Sequence, residues 1–152
     1  MAVSVTTLEA DDFFITALEL VKEAGLMVRN AIKEEKKVET KAGFADLVTE
    51  TDKSVEKLLI GKLSAKYPYH EFIGEESTAD CGKHHFTNAP TWIIDPVDGT
   101  TNFVHTFPMV AISVALAINK EVIIGIVYNP IIDLLYTARK GKGAFVNQSI
   151  LK

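Results

Sequence analysis

The chain has 152 residues, 47% of them hydrophobic, with eight Phe, four Tyr and one Trp, which supplies a real core and excludes a disordered chain. The formal net charge is −4, with basic residues scattered among acidic ones. That balance gives no reason to expect a nucleic acid or a membrane surface as partner.

The N-terminus lacks the basic start and apolar run of a secretory signal. From Leu8 to about Glu34, Phe14, Ala17, Leu18, Val21, Ala24, Val28, Ala31 and Ile32 recur at helical spacing. Thr7 is the expected N-cap, with Glu9 and Asp11 placing negative charge in the first turn. The basic and acidic tail from Lys33 to Lys37 reads as a solvated helix end, and Gly43 breaks the pattern. A second helix is expected over Asp52–Tyr67, with Val55, Leu58, Leu59 and Leu63 on one face and Pro68 just beyond. Asp52 can be an ordinary helix cap. Glu71-Phe-Ile-Gly74 then reads as a short strand running into Glu75 and Glu76, and Cys81 to Ala89 as a polar loop. Cys81 is the lone cysteine, so no intramolecular disulfide forms, and a reducing compartment is the simplest setting.

Thr91-Trp-Ile-Ile94 is a compact strand ending at Asp95 and Pro96. The stretch from Gly99 to Asn119 carries no charged residue, but its apolar part proper runs only from Met109 to Ile118. A spanning helix needs about 20 predominantly apolar residues, so this is a buried strand. Val110–Ile118 and Val122–Tyr128 suggest a hairpin turning at Asn119-Lys-Glu121. Leu134–Ala138 and Ala144–Val146 add two strands, with Gly141 and Gly143 marking the bend between them. Two helices followed by strands give an α+β fold class, with residues 1–152 as one domain or part of one. The sequence stops at Lys152 amid strand-like material, and the sheet built from these strands is expected to leave an edge or a face uncovered. The natural unit is therefore expected to be longer.

The chemistry gathers at Trp92–Asn102. Pro96 removes a backbone donor and stops the strand from simply continuing. Gly99 permits a tight turn and close backbone approach by a ligand. The product is a sharp turn with two carboxylates, Asp95 and Asp98, and free N–H groups where Thr100 and Thr101 begin a short helix. Those N–H groups suit a phosphate, and hard carboxylate oxygens suit Mg2+. An isolated turn of this composition would more often be a solvated Asx turn; the apolar strand ahead and Thr-Thr-Asn behind favour the ligand site. Glu75 follows a strand and a glycine, so it projects from a strand end. If its strand neighbours that of Asp95, three carboxylates converge, an arrangement that raises their pKa values unless cations relieve it. Asp52, with Thr49 and Thr51 nearby, is either a cap or a proton acceptor at the same site. Together these parts match metal-assisted phosphoester hydrolysis, in which paired divalent ions supply a large barrier reduction. His84 and His85 read as surface, and His105 as a structural hydrogen bonder.

Asp95-Pro-Val-Asp-Gly-Thr-Thr-Asn102, preceded by Gly74-Glu-Glu-Ser77 and Leu47-Val-Thr-Glu-Thr-Asp52, resembles the inositol monophosphatase family of lithium-sensitive, Mg2+-dependent phosphatases, which is related to fructose-1,6-bisphosphatase and the bisphosphate nucleotidases. The flanks Pro90-Thr-Trp-Ile-Ile-Asp95, Asn102-Phe-Val-His105 and Tyr136–Phe145 argue against the nucleotidase branch. The resemblance implies the N-terminal half of a layered αβαβα fold. It implies Glu75, Asp95 and the main-chain carbonyl of Val97 as ligands of a first metal, with Asp95 and Asp98 on a second. It further implies Asp52 and Thr100 as the residues that orient or activate the attacking water, with Glu75 supporting it. Asp98, Gly99 and Thr100 are implied at the phosphate, and Lys41 near an outer metal site. Two or three Mg2+ ions, inositol monophosphate as substrate, a homodimer when full length and a cytoplasmic location follow from the same resemblance. Family members carry a further Trp-Asp-x-Ala-Gly-like motif whose Asp completes the second metal site. This sequence has no counterpart, so it is expected to be an N-terminal portion. The implied activity is hydrolysis of inositol monophosphate to myo-inositol and phosphate. Two alternatives stand beside it: a related sugar-phosphate or nucleotide phosphatase, and a catalytically impaired isoform that binds metal weakly or pairs with full-length subunits.

Overall fold

The computed structural model describes residues 2–40, 47–77 and 86–151. Helix α1 spans Thr7–Ala31. Its cap lies one residue earlier than the expected Thr7: the Thr6 hydroxyl accepts from the Glu9 N–H, while the Glu9 carboxylate accepts from the Thr6 N–H at 2.8 Å. This reciprocal box satisfies two of the donors that every helix start leaves unpaired. The helix stops at Ala31, not near Glu34. The basic tail beyond it is not merely solvated, because the Lys36 ammonium donates to the Ile32 carbonyl and to the Thr106 hydroxyl and lies 5.4 Å above the Phe103 ring.

Two three-residue strands, β1 (Val38–Thr40) and β2 (Leu47–Thr49), pair antiparallel before α2 (Glu50–Lys66). The helix begins two residues ahead of the expected Asp52, with Thr49 as its N-cap. Next come β3 (Glu71–Gly74), β4 (Thr91–Asp98), a five-residue helix α3 (Thr100–Val104), β5 (Ala111–Ile118) and β6 (Glu121–Asn129). Strands β7 (Leu134–Arg139), β8 (Gly143–Val146) and β9 (Ser149–Ile150) complete the order. The main sheet has seven strands in the order β3-β4-β5-β6-β7-β8-β9. Among the described residues of this sheet only the β3–β4 pair is parallel; the other pairings form an antiparallel meander.

Both long helices cover one face of this sheet. Alternate residues Trp92 and Ile94 on β4, Ile112, Val114 and Leu116 on β5, and Ile124 and Ile126 on β6 join Val21, Ala24 and Val28 of α1 and Val55, Leu59 and Leu63 of α2 in one buried cluster. Full burial of each large aliphatic side chain contributes about 1.5–3 kcal/mol. The intervening residues, Ile93, Ser113, Ala115, Gly125 and Val127, point to the other face and remain partly or largely open. No described helix is long and apolar enough to cross a membrane.

Strand β4 does not end at Asp95. It passes through Pro96 to Asp98, but at the cost of register: Asp95 pairs with Ser113 and Asp98 with Ala111, three steps on β4 against two on β5. The extra residue makes a bulge, where a proline's missing N–H breaks no ladder bond.

Candidate active site

The site is assembled where β3, β4, α2 and α3 meet. Its first component is the start of α2. Thr49 caps the helix, and Asp52, the third helical residue, completes a capping box: its Oδ2 accepts from the Thr49 N–H at 2.8 Å and from the Thr49 hydroxyl. Asp52 is 0% exposed. Its other oxygen, Oδ1, accepts from the Thr100 hydroxyl at 3.0 Å. Asp52 is therefore both a helix-end residue and a link to α3. The two readings open at the level of sequence are not exclusive.

The second component is a carboxyl pair. In the parallel β3–β4 register Gly74 lies opposite Ile94, so the next residues, Glu75 just past the end of β3 and Asp95 still within β4, lie side by side. Asp95 is held far above the usual carboxylate range, at about 7. Burial is the main cause, followed by a hydrogen bond to Glu75 and the nearby charges of Glu75 and Asp98, while the Val97 N–H pulls the other way. Among the described residues, Asp95 Oδ1 is the one buried side-chain polar atom without a hydrogen-bond partner. A buried carboxylate oxygen with no protein donor is costly to fold around unless a ligand meets it.

The third component is the turn into α3. Gly99 has φ +88°, and a Cβ there would sit 2.9 Å from the Met109 carbonyl oxygen, so both conformation and space require glycine. No side chain caps α3, whose first hydrogen bond runs from the Phe103 N–H to the Gly99 carbonyl at 3.0 Å. The Thr100 hydroxyl lies 3.0 Å from the Val97 carbonyl as well as from Asp52, and can donate to one at a time. Asn102 donates to the Met109 carbonyl at 2.8 Å and Asn129 to the Pro108 carbonyl at 2.9 Å, fixing the loop after α3 against the sheet.

Of the residues singled out in the sequence, Asp52, Thr100 and Val97 are brought together by hydrogen bonds, and Glu75 and Asp95 by register. Asp98 acts on Asp95 through its charge, but its side chain is exposed at the end of the bulged strand. The described residues contain no group of three His, Cys, Asp or Glu side chains already set as a cage for an ion. The carboxylates thus meet as a close pair with a third charge nearby. Lys41, Cys81, His84 and His85 lie outside the described residues. His105 is exposed. Sequence reasoning passed over Glu56, a buried acid on α2 whose two oxygens accept from the backbone N–H groups of Glu76 and Ser77, both at 2.8 Å. Its position one turn after Asp52, on the buried side of the helix, was the available signal.

The donor set suits a hard divalent cation such as Mg2+: carboxylate oxygens, a main-chain carbonyl, and one buried oxygen lacking a partner. A shallow concavity lined by Ile73, Ile93, Ser113 and Ala115 leads from the open sheet face to Glu75 and Asp95.

The chain resembles known proteins in both sequence and fold. Residues 9–152 match the model of the inositol monophosphatase family. The chain is 54% identical to inositol monophosphatase 1 of Rattus norvegicus over 136 residues, covering 90% of this chain and 49% of that protein. An IMPase from Thermotoga maritima superposes with a TM-score of 0.84 at 32% identity, over 93% of this chain and 53% of the other. SaIMPase-II, solved with inositol monophosphate bound, gives a TM-score of 0.74 at 28% identity, over 93% of this chain and 48% of that one. The chain spans about half the length of the relatives it matches. On sequence and fold together, it belongs to the inositol monophosphatase family.

Proposed function

We propose that this chain forms the metal- and phosphate-binding half of a Mg2+-dependent phosphatase that hydrolyses inositol monophosphate to myo-inositol and phosphate. The observation that carries this reading is the Glu75–Asp95 pair, with a buried Asp95 oxygen that no protein group satisfies. Glu75, Asp95, the Val97 carbonyl and Asp98 would hold the cations, two or three in the whole protein. When bound, Mg2+ supplies Lewis acidity that makes a water nucleophilic near neutral pH and offsets charge on the phosphoryl group.

The chain's own residues handle position and protons. The Thr100 hydroxyl, donating to Asp52 Oδ1, leaves its lone pairs free to accept from the attacking water. As the water oxygen adds to phosphorus, its proton passes to Thr100 Oγ1 and the Thr100 proton to Asp52 Oδ1. The ester P–O bond breaks, and the departing alkoxide takes a proton from solvent. Thr49 fixes the other oxygen of Asp52, so that the acceptor cannot turn away. The N–H groups of Gly99 and Thr100, with Asp98 beside them, receive the phosphate. The substrate class rests on family membership and on the inositol monophosphate held by SaIMPase-II. As a whole protein it is proposed to work as a cytoplasmic homodimer.

A second reading concerns the chain as a separate polypeptide. In that reading it binds a cation weakly and turns over slowly, or acts by pairing with full-length subunits, the Glu75–Asp95 pair having the charge of Asp98 beside it as a third carboxylate. Phosphate release from inositol 1-phosphate, measured with and without MgCl2, separates the two readings. Mg2+-dependent turnover lost in Asp95→Asn supports the phosphatase. No turnover above the Asp95→Asn background supports the impaired form.

A further inference from the structure

Glu56 is 5% exposed and sits one helical turn after Asp52 on α2. Its Oε2 accepts from the Glu76 N–H and its Oε1 from the Ser77 N–H, each at 2.8 Å. The Glu76 N–H belongs to the peptide unit whose carbonyl is that of Glu75, so this bond fixes ψ of Glu75 and with it the root of the Glu75 side chain. On the other flank, a Cβ added to Gly74 would lie 2.5 Å from the Glu56 carboxyl, closer than any real contact. The Glu56 carboxyl therefore occupies the space that a larger residue at position 74 would need. One side chain is bonded to the backbone that follows Glu75 and lies against the backbone that precedes it.

We propose that Glu56 is a positioning residue for the cation site: it aims the Glu75 carboxyl at Asp95 by holding the flanking backbone. This inference rests on Glu75 being a cation ligand, as proposed above. Asp52 and Glu56, at i and i+4, point from one buried stripe of α2 to the start of α3 and to the end of β3. Asp52 holds Thr100 and α3, while Glu56 holds the end of β3. A single rigid helix thus sets the spacing between the proton acceptor and the carboxyl pair. Burying an acid here is compensated by two charge-assisted hydrogen bonds from backbone donors.

The test uses the full chain, MgCl2 as the only ligand, and four substitutions. Glu56→Gln keeps the shape but offers one acceptor oxygen in place of two, so one of the two N–H groups loses its partner. Its Mg2+ dissociation constant by calorimetry is expected to rise about ten-fold. Leu63→Ala, two turns further along the same helix face, controls for destabilisation: it lowers the melting midpoint while leaving Mg2+ affinity within about two-fold. Gly74→Ala is expected to weaken Mg2+ binding as Glu56→Gln does. Added to Glu56→Ala, which vacates the space, it is expected to cost little more, a non-additivity diagnostic of direct contact. Unchanged Mg2+ affinity in Glu56→Gln, or an equal loss in Leu63→Ala, overturns the proposal.

A second readout does not depend on the metal. The amides of Glu76 and Ser77 are expected to be protected from hydrogen exchange in the parent, and the Glu75 carboxyl carbon resonance to move in Glu56→Gln. If the parent binds no Mg2+, the cation-site reading itself fails. The positioning role is then decided by those resonances: a shifted Glu75 carboxyl with faster exchange at Glu76 and Ser77 supports it, and unchanged signals refute it.

Discussion

At the scale of the residue, environment decides what a side chain does. Two acids on one stripe of α2 differ in task because their partners differ: Asp52 accepts from the Thr49 N–H and from two hydroxyls, one of them on α3, whereas Glu56 accepts from two backbone amides at the end of β3. The same holds for His70, which sequence reasoning left unassigned. Its Nδ1 accepts from the indole N–H of Trp92 at 3.0 Å, and its ring stacks on Tyr67 with centroids 4.9 Å apart. Burial holds the His70 imidazole below the usual histidine range. The fold therefore prefers the neutral ring. Stability from this group is full above the unfolded value of 6.5 and is lost as pH falls from there toward the folded value. Protonation at Nδ1 would also set one donor against another. Because Trp92 is the sole tryptophan, its emission reports this contact directly. A fluorescence change with a midpoint below 6.5, absent in His70→Asn, is expected; a flat profile between pH 8 and 5 in the parent would exclude it.

At the scale of the element, the long periodic segments were legible and the short irregular ones were not. The apolar stripes of α1 and α2 and the strands from β3 to β8 could be read because burial on one face imposes a period. The β1–β2 pair escaped notice because each strand has only three residues and those of β1 are exposed, so no apolar pattern marks it. Strand β4 was read as too short because Pro96 suggests a stop, whereas the bulge absorbs it. The turns at Asn119-Lys120 and Asn147-Gln148 place both residues of each pair at positive φ, including two with no strong preference for it. Strand pairing on either side enforces that conformation. Glu75 and Asp95 were legible because an apolar run followed by an acid can be read without knowledge of pairing; Glu56 was not, since an acid in a helix ordinarily faces water.

The start of α2 gives a sharper test at the same scale. Thr49→Val keeps the volume but removes the hydroxyl that caps the helix and touches Asp52. Losing a cap costs about 1 kcal/mol. The melting midpoint should fall by a few degrees, since 1 kcal/mol shifts a domain of this size by roughly 2–8 °C. If Asp52 is the proton acceptor, the rate constant for phosphate release should fall more than the stability loss explains, with KM little changed. A Thr49→Ser variant should restore both. Equal activity of the valine and serine variants would separate the cap from the chemistry.

At the scale of the molecule, the sheet is the decisive feature because its two faces differ. One is sealed by α1 and α2; the other presents Ile73, Ile93, Ala115, Gly125 and Val127, with Tyr136 beyond them. A Cβ placed on Gly125 meets no atom within 4 Å, and Val127 and Tyr136 are 40% and 42% exposed. The uncovered face foreseen from the order of helices and strands is thus present among the described residues. A contiguous apolar face of this kind drives association in water. The chain studied alone is therefore expected to self-associate as its concentration rises, visible as a growing sedimentation coefficient. Val127→Lys places a charge on the open face without touching the sealed core, and should move the distribution back toward monomer while leaving the melting midpoint nearly unchanged. If the parent instead sediments as a monomer at every concentration and melts cooperatively, the open face is not adhesive. The small residues Ser113, Ala115 and Gly125 along its centre would then be sufficient to keep it wet.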